Sequence, residues 1–305
     1  MNLSELLTYL GYSALWRTVR LLPERTAYGL FEKLANRAYR RNGKRVKRLR
    51  SNYAHVSPGG DTDNLERMVQ KGLSNAMRYW CDTFRISDWK LDRIANSVDL
   101  ENPEIFYESV NSGRGVIVAL PHAGNWDHAG LYFCSQGIQV NTVAEHLKPD
   151  RLFQRFLAHR AKMGMKVLDL ESDVIGELER LLRSGALVAL VSDRDLSKSG
   201  IEVEFFGARA RMPAGPGLLA HRTGADLLVA YVGYRNEGIH IRFTGPVEVD
   251  RSLDEREEVA RVTQALAKIF ESDISQDPTS WHMQQRIFVD TKFNQSNGLD
   301  KGVVD

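Results

Sequence analysis

Residues 118–130 read VALPHAGNWDHAG, an apolar run followed at once by Pro121 and His122, with Asp127 five positions past the histidine. A carboxylate that accepts a hydrogen bond from one imidazole nitrogen fixes the tautomer and makes the other nitrogen a better base. That pairing suits removal of a proton from a hydroxyl, a step worth roughly 10²–10⁴ in rate. On a regular helix, positions five apart lie about 140° out of register. The two groups therefore meet only if the chain bends between them, and Ala123-Gly124-Asn125 is a sequence that bends. Asn125 reads as the N-cap of a helix starting near Trp126, with Asp127 in its first turn, where the helix dipole favours a carboxylate. On the competing reading, His122 merely closes a strand and Asp127 merely caps a helix. His128 is the rival imidazole, set one residue deeper in the helix.

Other polar groups gather around the same pattern. ALVALVSDRD (186–195) again runs from an apolar strand into polar residues and delivers Asp193 and Asp195, of which Asp193 stands nearer the strand end. FLAHRAKMGM places Arg160 in a helix after another strand, and FFGARARMPAGPG supplies Arg209 and Arg211 before a helix start at Pro216. Ligands of open parallel α/β sheets bind beyond the carboxyl ends of the strands, where these groups converge. No Gly-x-Ser-x-Gly elbow is present, neither Cys81 nor Cys134 adjoins His122, and Walker and Rossmann glycine patterns are missing. Direct base-catalysed transfer to a hydroxyl is the chemistry left, without a covalent enzyme intermediate.

Positioning these groups requires a sheet. The chain has 305 residues, 43% hydrophobic and 26% charged, with a net charge of +2, an ordinary globular composition able to bury a sizeable core. GVIVAL (115–120), VNTVA (140–144), KVLDL (166–170) and ALVALV (186–191) are β-rich, as are LLVAYV (227–232) and IHIRF (239–243). Helix-length stretches at 150–163, 173–184 and 214–223 separate most of them, which predicts an α/β fold with a mostly parallel central sheet flanked by helices on both faces. The last two runs, parted by GYRNEG, read as a hairpin, and 254–274 as an amphipathic closing helix. Residues 1–290 read as a single domain, helical up to about residue 105, followed by a disordered polar tail from Thr291.

The amino-terminal part carries its own signals. Leu3, Leu6, Leu7, Leu10 and Ala14 recur at helical spacing over 3–21, and Pro23 closes that helix. A second helix starts near Glu24 and runs into RAYRRNGKRVKRLR (37–50), where eight of fourteen residues are Lys or Arg and none is acidic. That run is a solvated face, a patch for an anionic membrane surface or, with only Tyr39 and Tyr53 near, a nucleic-acid contact. Residues 65–92 return to helical patterning after a turn at 57–64. No run reaches the roughly 18 apolar residues of a membrane span, and no signal-peptide pattern opens the chain, so any membrane association is peripheral. Two unpaired cysteines fit a reduced, cytoplasmic compartment without a structural metal or cofactor.

Taken in order, His-x4-Asp after a buried strand, Asp-Arg-Asp after a later one, VEFFGARARMPAGPGLLAHRTGADLL (203–228) and WHMQQRIF (281–288) resemble the acyltransferases of the lipid A biosynthesis superfamily. Within it the likeness is to the phosphatidylinositol mannoside subgroup. The resemblance spans nearly the whole chain, to about residue 290. It implies a glycerolipid-acyltransferase-like fold on the cytoplasmic face of the cell membrane, anchored through residues 1–50, with no nucleic-acid partner. It implies transfer of a long acyl group, palmitoyl being typical, from acyl-CoA as co-substrate to the mannose 6-hydroxyl of a mannosylated phosphatidylinositol. His122 is then the general base, Asp127 orients and charges it, and Asp193 or Asp195 matches an acidic residue of the family. Arg160 matches an arginine near the headgroup or thioester; Asn125, Arg209 and Arg211 are further substrate contacts. Glu145, in VAEHLKP, stands where lipid A members often carry arginine and favours the mannoside subgroup. Transfer to a Kdo-lipid acceptor and hydrolysis of the thioester are the alternatives on the same fold. His221, Trp281 and His282 read as packing residues.

Overall fold

The computed structural model describes residues 3–146, 149–170, 174–195, 197 and 199–289, and the expected tail from Thr291 lies outside them. Four helices come first: α1 (Leu3–Leu21), α2 (Glu24–Arg41), α3 (Lys44–Val56) and α4 (Thr62–Arg85). Trp16 and Val19 of α1 are buried with Ala27 and Phe31 of α2 and Cys81 and Phe84 of α4, and the Trp16 indole donates to the Phe84 carbonyl at 3.1 Å. The helix expected to run from Glu24 through the basic segment is in fact two. Asn42 takes a left-handed conformation (φ 47°) and its N–H returns to the carbonyls of Ala38 and Tyr39, ending α2. Asn tolerates this conformation because its short polar side chain offsets the strain.

The alternating part comprises α5 (Leu91–Asn96), β1 (Val98–Glu101), α6 (Pro103–Asn111), β2 (Val116–Leu120), α7 (Trp126–Ser135), β3 (Val140–Ala144), α8 (Asp150–Lys162), β4 (Lys166–Asp169), α9 (Val174–Arg183) and β5 (Leu187–Val191). After it come β6 (Ile201–Phe205), β7 (Ala208–Met212), α10 (Gly215–Thr223), β8 (Asp226–Arg235), β9 (Gly238–Thr244) and α11 (Glu255–Gln276). Among the described residues, seven strands form one sheet in the order β1-β9-β8-β2-β5-β3-β4. β2, β3, β4, β5 and β8 run one way, while β9 returns antiparallel to β8 and β1 lies parallel to β9. The mostly parallel sheet and the terminal hairpin agree with the sequence. β1, however, falls in the stretch read as wholly helical, because four residues at a sheet edge carry too short a pattern to register.

Both faces of the sheet are covered, which explains why its central strands are almost uninterruptedly apolar. Side chains alternate across a strand: Ile117, Ala119, Val188, Leu190, Leu227 and Val229 join one core cluster, and Val116, Val118, Leu187, Leu228 and Ala230 the other. Each fully buried Val, Leu or Ile side chain among them contributes about 1.5–3 kcal/mol. β6 and β7 make a separate antiparallel hairpin unread in the sequence. Glu202 lies opposite Arg211 and Glu204 opposite Arg209, and the positive φ of Phe206 (51°) and Gly207 (69°) makes the turn. Beyond α11 the chain returns across the molecule as a strap that bridges Ala123 at Trp281 and Ala210 at Phe288. Asn52 of α3 holds it by donating to the carbonyls of Met283 and Gln285.

Candidate active site

β2 and β5 are parallel neighbours with Leu120 paired to Val191. The Ser192 amide adds one more bond, to the Leu120 carbonyl at 2.9 Å. This register places His122 and Asp193, each two residues past its strand, side by side just beyond the carboxyl ends. The His122 ring Nδ1 lies 2.5 Å from Asp193 Oδ1, and the His122 amide donates to Asp193 Oδ2 at 3.1 Å. The Trp281 indole donates to the same Oδ2 at 2.8 Å. Asp193 is fully buried at 0% exposure. Burial pushes its carboxyl up, but the His122 charge and the hydrogen bonds from the His122 ring, Trp281 and the His122 amide together hold it below the ordinary carboxylate range. A carboxylate at Nδ1 puts the ring proton there and leaves Nε2 as the basic nitrogen. The His122 side chain is 33% exposed, and Nε2 has no hydrogen-bond partner among the described residues.

The carboxylate that meets the imidazole is thus Asp193, a correction to the expected pairing with Asp127. The bend at Gly124 is present, with φ 58°, but it serves the strap. Gly124 donates to the Ser280 carbonyl at 2.9 Å and accepts from His282 Nε2 at 3.0 Å. Asn125 then caps α7, its side chain accepting from the His128 amide at 3.0 Å. Asp127, buried in the first turn of α7, turns away into the protein. Arg160 of α8 grips it with Nε at 2.8 Å and a second nitrogen at 3.4 Å, and the Tyr79 hydroxyl of α4 donates to it at 3.0 Å. The cluster ties three helices together behind the loop that carries His122. A buried ion pair with bidentate geometry and a third donor is the arrangement in which such a pair is fully hydrogen-bonded.

The remaining predicted residues are dispersed. Asp195 shapes the turn after Asp193, accepting from the Ser197 amide at 2.6 Å while its own amide donates to the Arg211 carbonyl at 2.7 Å. Asn125 is fully buried, so its side chain serves the helix cap instead of a substrate surface. Arg160, expected near a headgroup or thioester, is committed to Asp127. Glu145 is exposed directly after β3, on the same rim of the sheet as His122. Arg211 is half-buried on β7 close to that rim, and Arg209 is exposed further out, 3.4 Å from Glu202.

Two other histidines have structural duties. Burial, with the charges of Arg78 and Arg93, pushes His128 down to about 3, and its Nε2 meets the Ser97 hydroxyl at 2.9 Å. His282, also driven down by burial to about 4, clamps the Gly124 loop and packs against the rings of Tyr79 and Trp126. Trp281, Tyr79 and His282 are the contacts that sequence reasoning missed as parts of the site. Trp281 lies 88 positions from Asp193 and Tyr79 lies 48 from Asp127, separations at which no local pattern signals contact.

Residues 2–289 match the family described as bacterial lipid A biosynthesis acyltransferase. The chain is 37% identical over 281 residues to the phosphatidylinositol mannoside acyltransferase of Mycolicibacterium smegmatis, covering 91% of this chain and 90% of that one. It is 34% identical over 280 residues to the phosphatidylinositol mannoside acyltransferase of Mycobacterium tuberculosis, covering 90% and 86%. With an imidazole and a buried carboxylate joined at the sheet rim, and relatives matched along almost their whole length, the chain belongs to the bacterial lipid A biosynthesis acyltransferase family and is an enzyme that transfers acyl groups.

Proposed function

We propose that the protein transfers a long-chain acyl group, palmitoyl in the simplest case, from acyl-CoA to the 6-hydroxyl of a mannose on a phosphatidylinositol mannoside. The observation that carries the mechanism is the His122–Asp193 pair, whose Nε2 is the ring nitrogen without a partner among the described residues. In this reading Nε2 takes the proton of the acceptor hydroxyl as its oxygen attacks the thioester carbonyl. The tetrahedral adduct then collapses, the carbon–sulfur bond breaks, and the departing thiolate takes the proton back from His122. Asp193 holds the ring tautomer and stabilises the imidazolium between the two transfers. No acyl-enzyme forms. The acceptor named for the relatives supports the choice of sugar, and Glu145, on the same rim, is the candidate contact for it.

A lipid acceptor requires the enzyme at a bilayer surface, the cytoplasmic face of the cell membrane in this reading. Supporting this, Leu7 (60% exposed), Leu10, Leu15 and Leu21 on α1 and Leu30 and Leu34 on α2 present apolar side chains to solvent. Arg37, Arg40, Arg41, Arg45 and Lys47, around the α2–α3 corner, are exposed as well. Exposed leucines beside cations are the composition of an interfacial helix, and each Lys or Arg near an anionic leaflet adds about 1 kcal/mol. Among the described residues no helix is long and apolar enough to cross a membrane, so the contact proposed is peripheral.

The test uses the purified chain, palmitoyl-CoA and a mannosylated phosphatidylinositol in vesicles, following free thiol and the mass of the lipid product. Acyl transfer that needs the acceptor and disappears in His122→Ala is the expected result. Thiol release undiminished without acceptor means hydrolysis, and normal turnover by His122→Ala refutes the base.

A further inference from the structure

We infer that Trp281 is a positioning residue for the base: its indole N–H holds Asp193 against the His122 ring and competes with that ring for the carboxylate charge. The inference rests on the reading of His122 as the base. Asp193 Oδ2 accepts from both Trp281 and the His122 amide, which leaves Oδ1 for the ring. The indole has no freedom to leave. Trp281 is fully buried, its carbonyl accepts from the Tyr53 hydroxyl at 3.0 Å, its ring contacts Tyr53, Phe205 and Phe206, and its backbone bridges Ala123. The carboxy-terminal strap therefore reaches the catalytic pair directly.

The consequence follows from competition for one charge. When Nε2 takes a proton, the imidazolium draws on the Asp193 charge and the indole bond weakens. When the ring is neutral, it draws on that charge less and the indole bond is strongest. The bond thus favours the neutral ring, and losing it favours the protonated one. The surrounding titratable groups do not supply the same effect. His282, beside Trp281 on the strap, stays neutral near pH 7 because burial pushes it down to about 4. On α7, α8 and α4 the Asp127 carboxylate is matched by Arg160 and Tyr79. Asp195 is engaged with the Ser197 amide, and Asp277, at the start of the strap, acts on Tyr53 and Tyr231.

The experiment compares the full-length enzyme with Trp281→Phe and with Trp281 replaced by 3-benzothienylalanine, which keeps the bicycle and puts sulfur where the N–H was. Two quantities are read: the acid limb of kcat/KM for palmitoyl-CoA with the mannosylated acceptor, and the titration midpoint of the His122 ring by NMR of histidine-labelled protein. Both are expected to move up by roughly 0.5–1 pH unit in each variant, the part of a charge-assisted hydrogen bond that differs between the two ring states. If the benzothienyl enzyme titrates like the parent, the inference is wrong, and this isostere decides the matter should Trp281→Phe fail to fold. Normal turnover by His122→Ala overturns the base assignment itself, an outcome distinct from an unmoved midpoint.

Discussion

Asp193→Asn and Asp127→Asn separate the pairing expected along the chain from the one the fold makes. At Asp193, Oδ2 accepts two fixed N–H groups, from the His122 backbone and the Trp281 indole. An asparagine there must keep its oxygen toward those donors, so its NH2 turns toward His122 Nδ1. A donor facing Nδ1 makes that nitrogen an acceptor and moves the ring proton to Nε2, the atom that has to receive one. By analogy with the tautomer-switching Asp-to-Asn change in serine proteases, turnover should fall by roughly 10³–10⁴ with little change in fold. That is about 4–5.5 kcal/mol of transition-state stabilisation at 1.36 kcal/mol per tenfold. Asp127→Asn instead strands the largely buried Arg160 guanidinium without its counter-charge. Breaking such a pair from one side costs about 3–5 kcal/mol of stability, so its effect should fall mainly on thermal unfolding. Thiol release under saturating palmitoyl-CoA and acceptor, paired with melting followed by circular dichroism, measures both. Full turnover by Asp193→Asn, with Asp127→Asn inactive but as stable as the parent, would refute this assignment.

Three further outcomes follow from the same contacts. Gly124→Ala should lower the melting temperature sharply, since the left-handed conformation alone costs a non-glycine residue about 1–2 kcal/mol and an added Cβ would lie 2.3 Å from the Val232 carbonyl oxygen; an unchanged melt would show that the loop relaxes freely. His128 and His282 are held neutral with depressed values of about 3 and about 4, so each takes up a proton on unfolding below its ordinary value of about 6.5. Their stabilising contribution is present above that pH and is lost as the pH falls toward the folded values; denaturant titrations from pH 7 to pH 4.5 should show this loss, with a shallower slope in His128→Asn. Leu7→Glu with Leu10→Glu should abolish co-sedimentation with anionic vesicles while leaving the melt in place, because both side chains are already exposed; retained binding would remove α1 from the membrane contact.

How far the site is legible along the chain depends on which atoms must touch. The strand feeding His122 is legible because five consecutive buried residues, Val116–Leu120, leave an apolar run with no polar interruption. The cap at Asn125 is legible because a cap is a contact across three residues, to the His128 amide. Asp193 ranks above Asp195 from its distance to the strand end alone, and the register of β2 against β5 makes that distance decisive. Asp127 misleads because proximity along the chain resembles proximity in space: the loop does bend, but for the sake of the strap, and its first helical turn points the carboxylate at Arg160 and Tyr79.

By itself, the sequence determined the apolar strand runs, the helices between them and therefore the rim at which the polar groups gather, since these depend on local sterics and on which positions must leave water. Only the tertiary structure decided which carboxylate serves the imidazole. That choice depends on strand order, on register and on a strap arriving from the far end of the chain to donate to Asp193. A buried charge is stable only where several donors converge on it, and the donors that converge on Asp193 come from two segments distant in the chain.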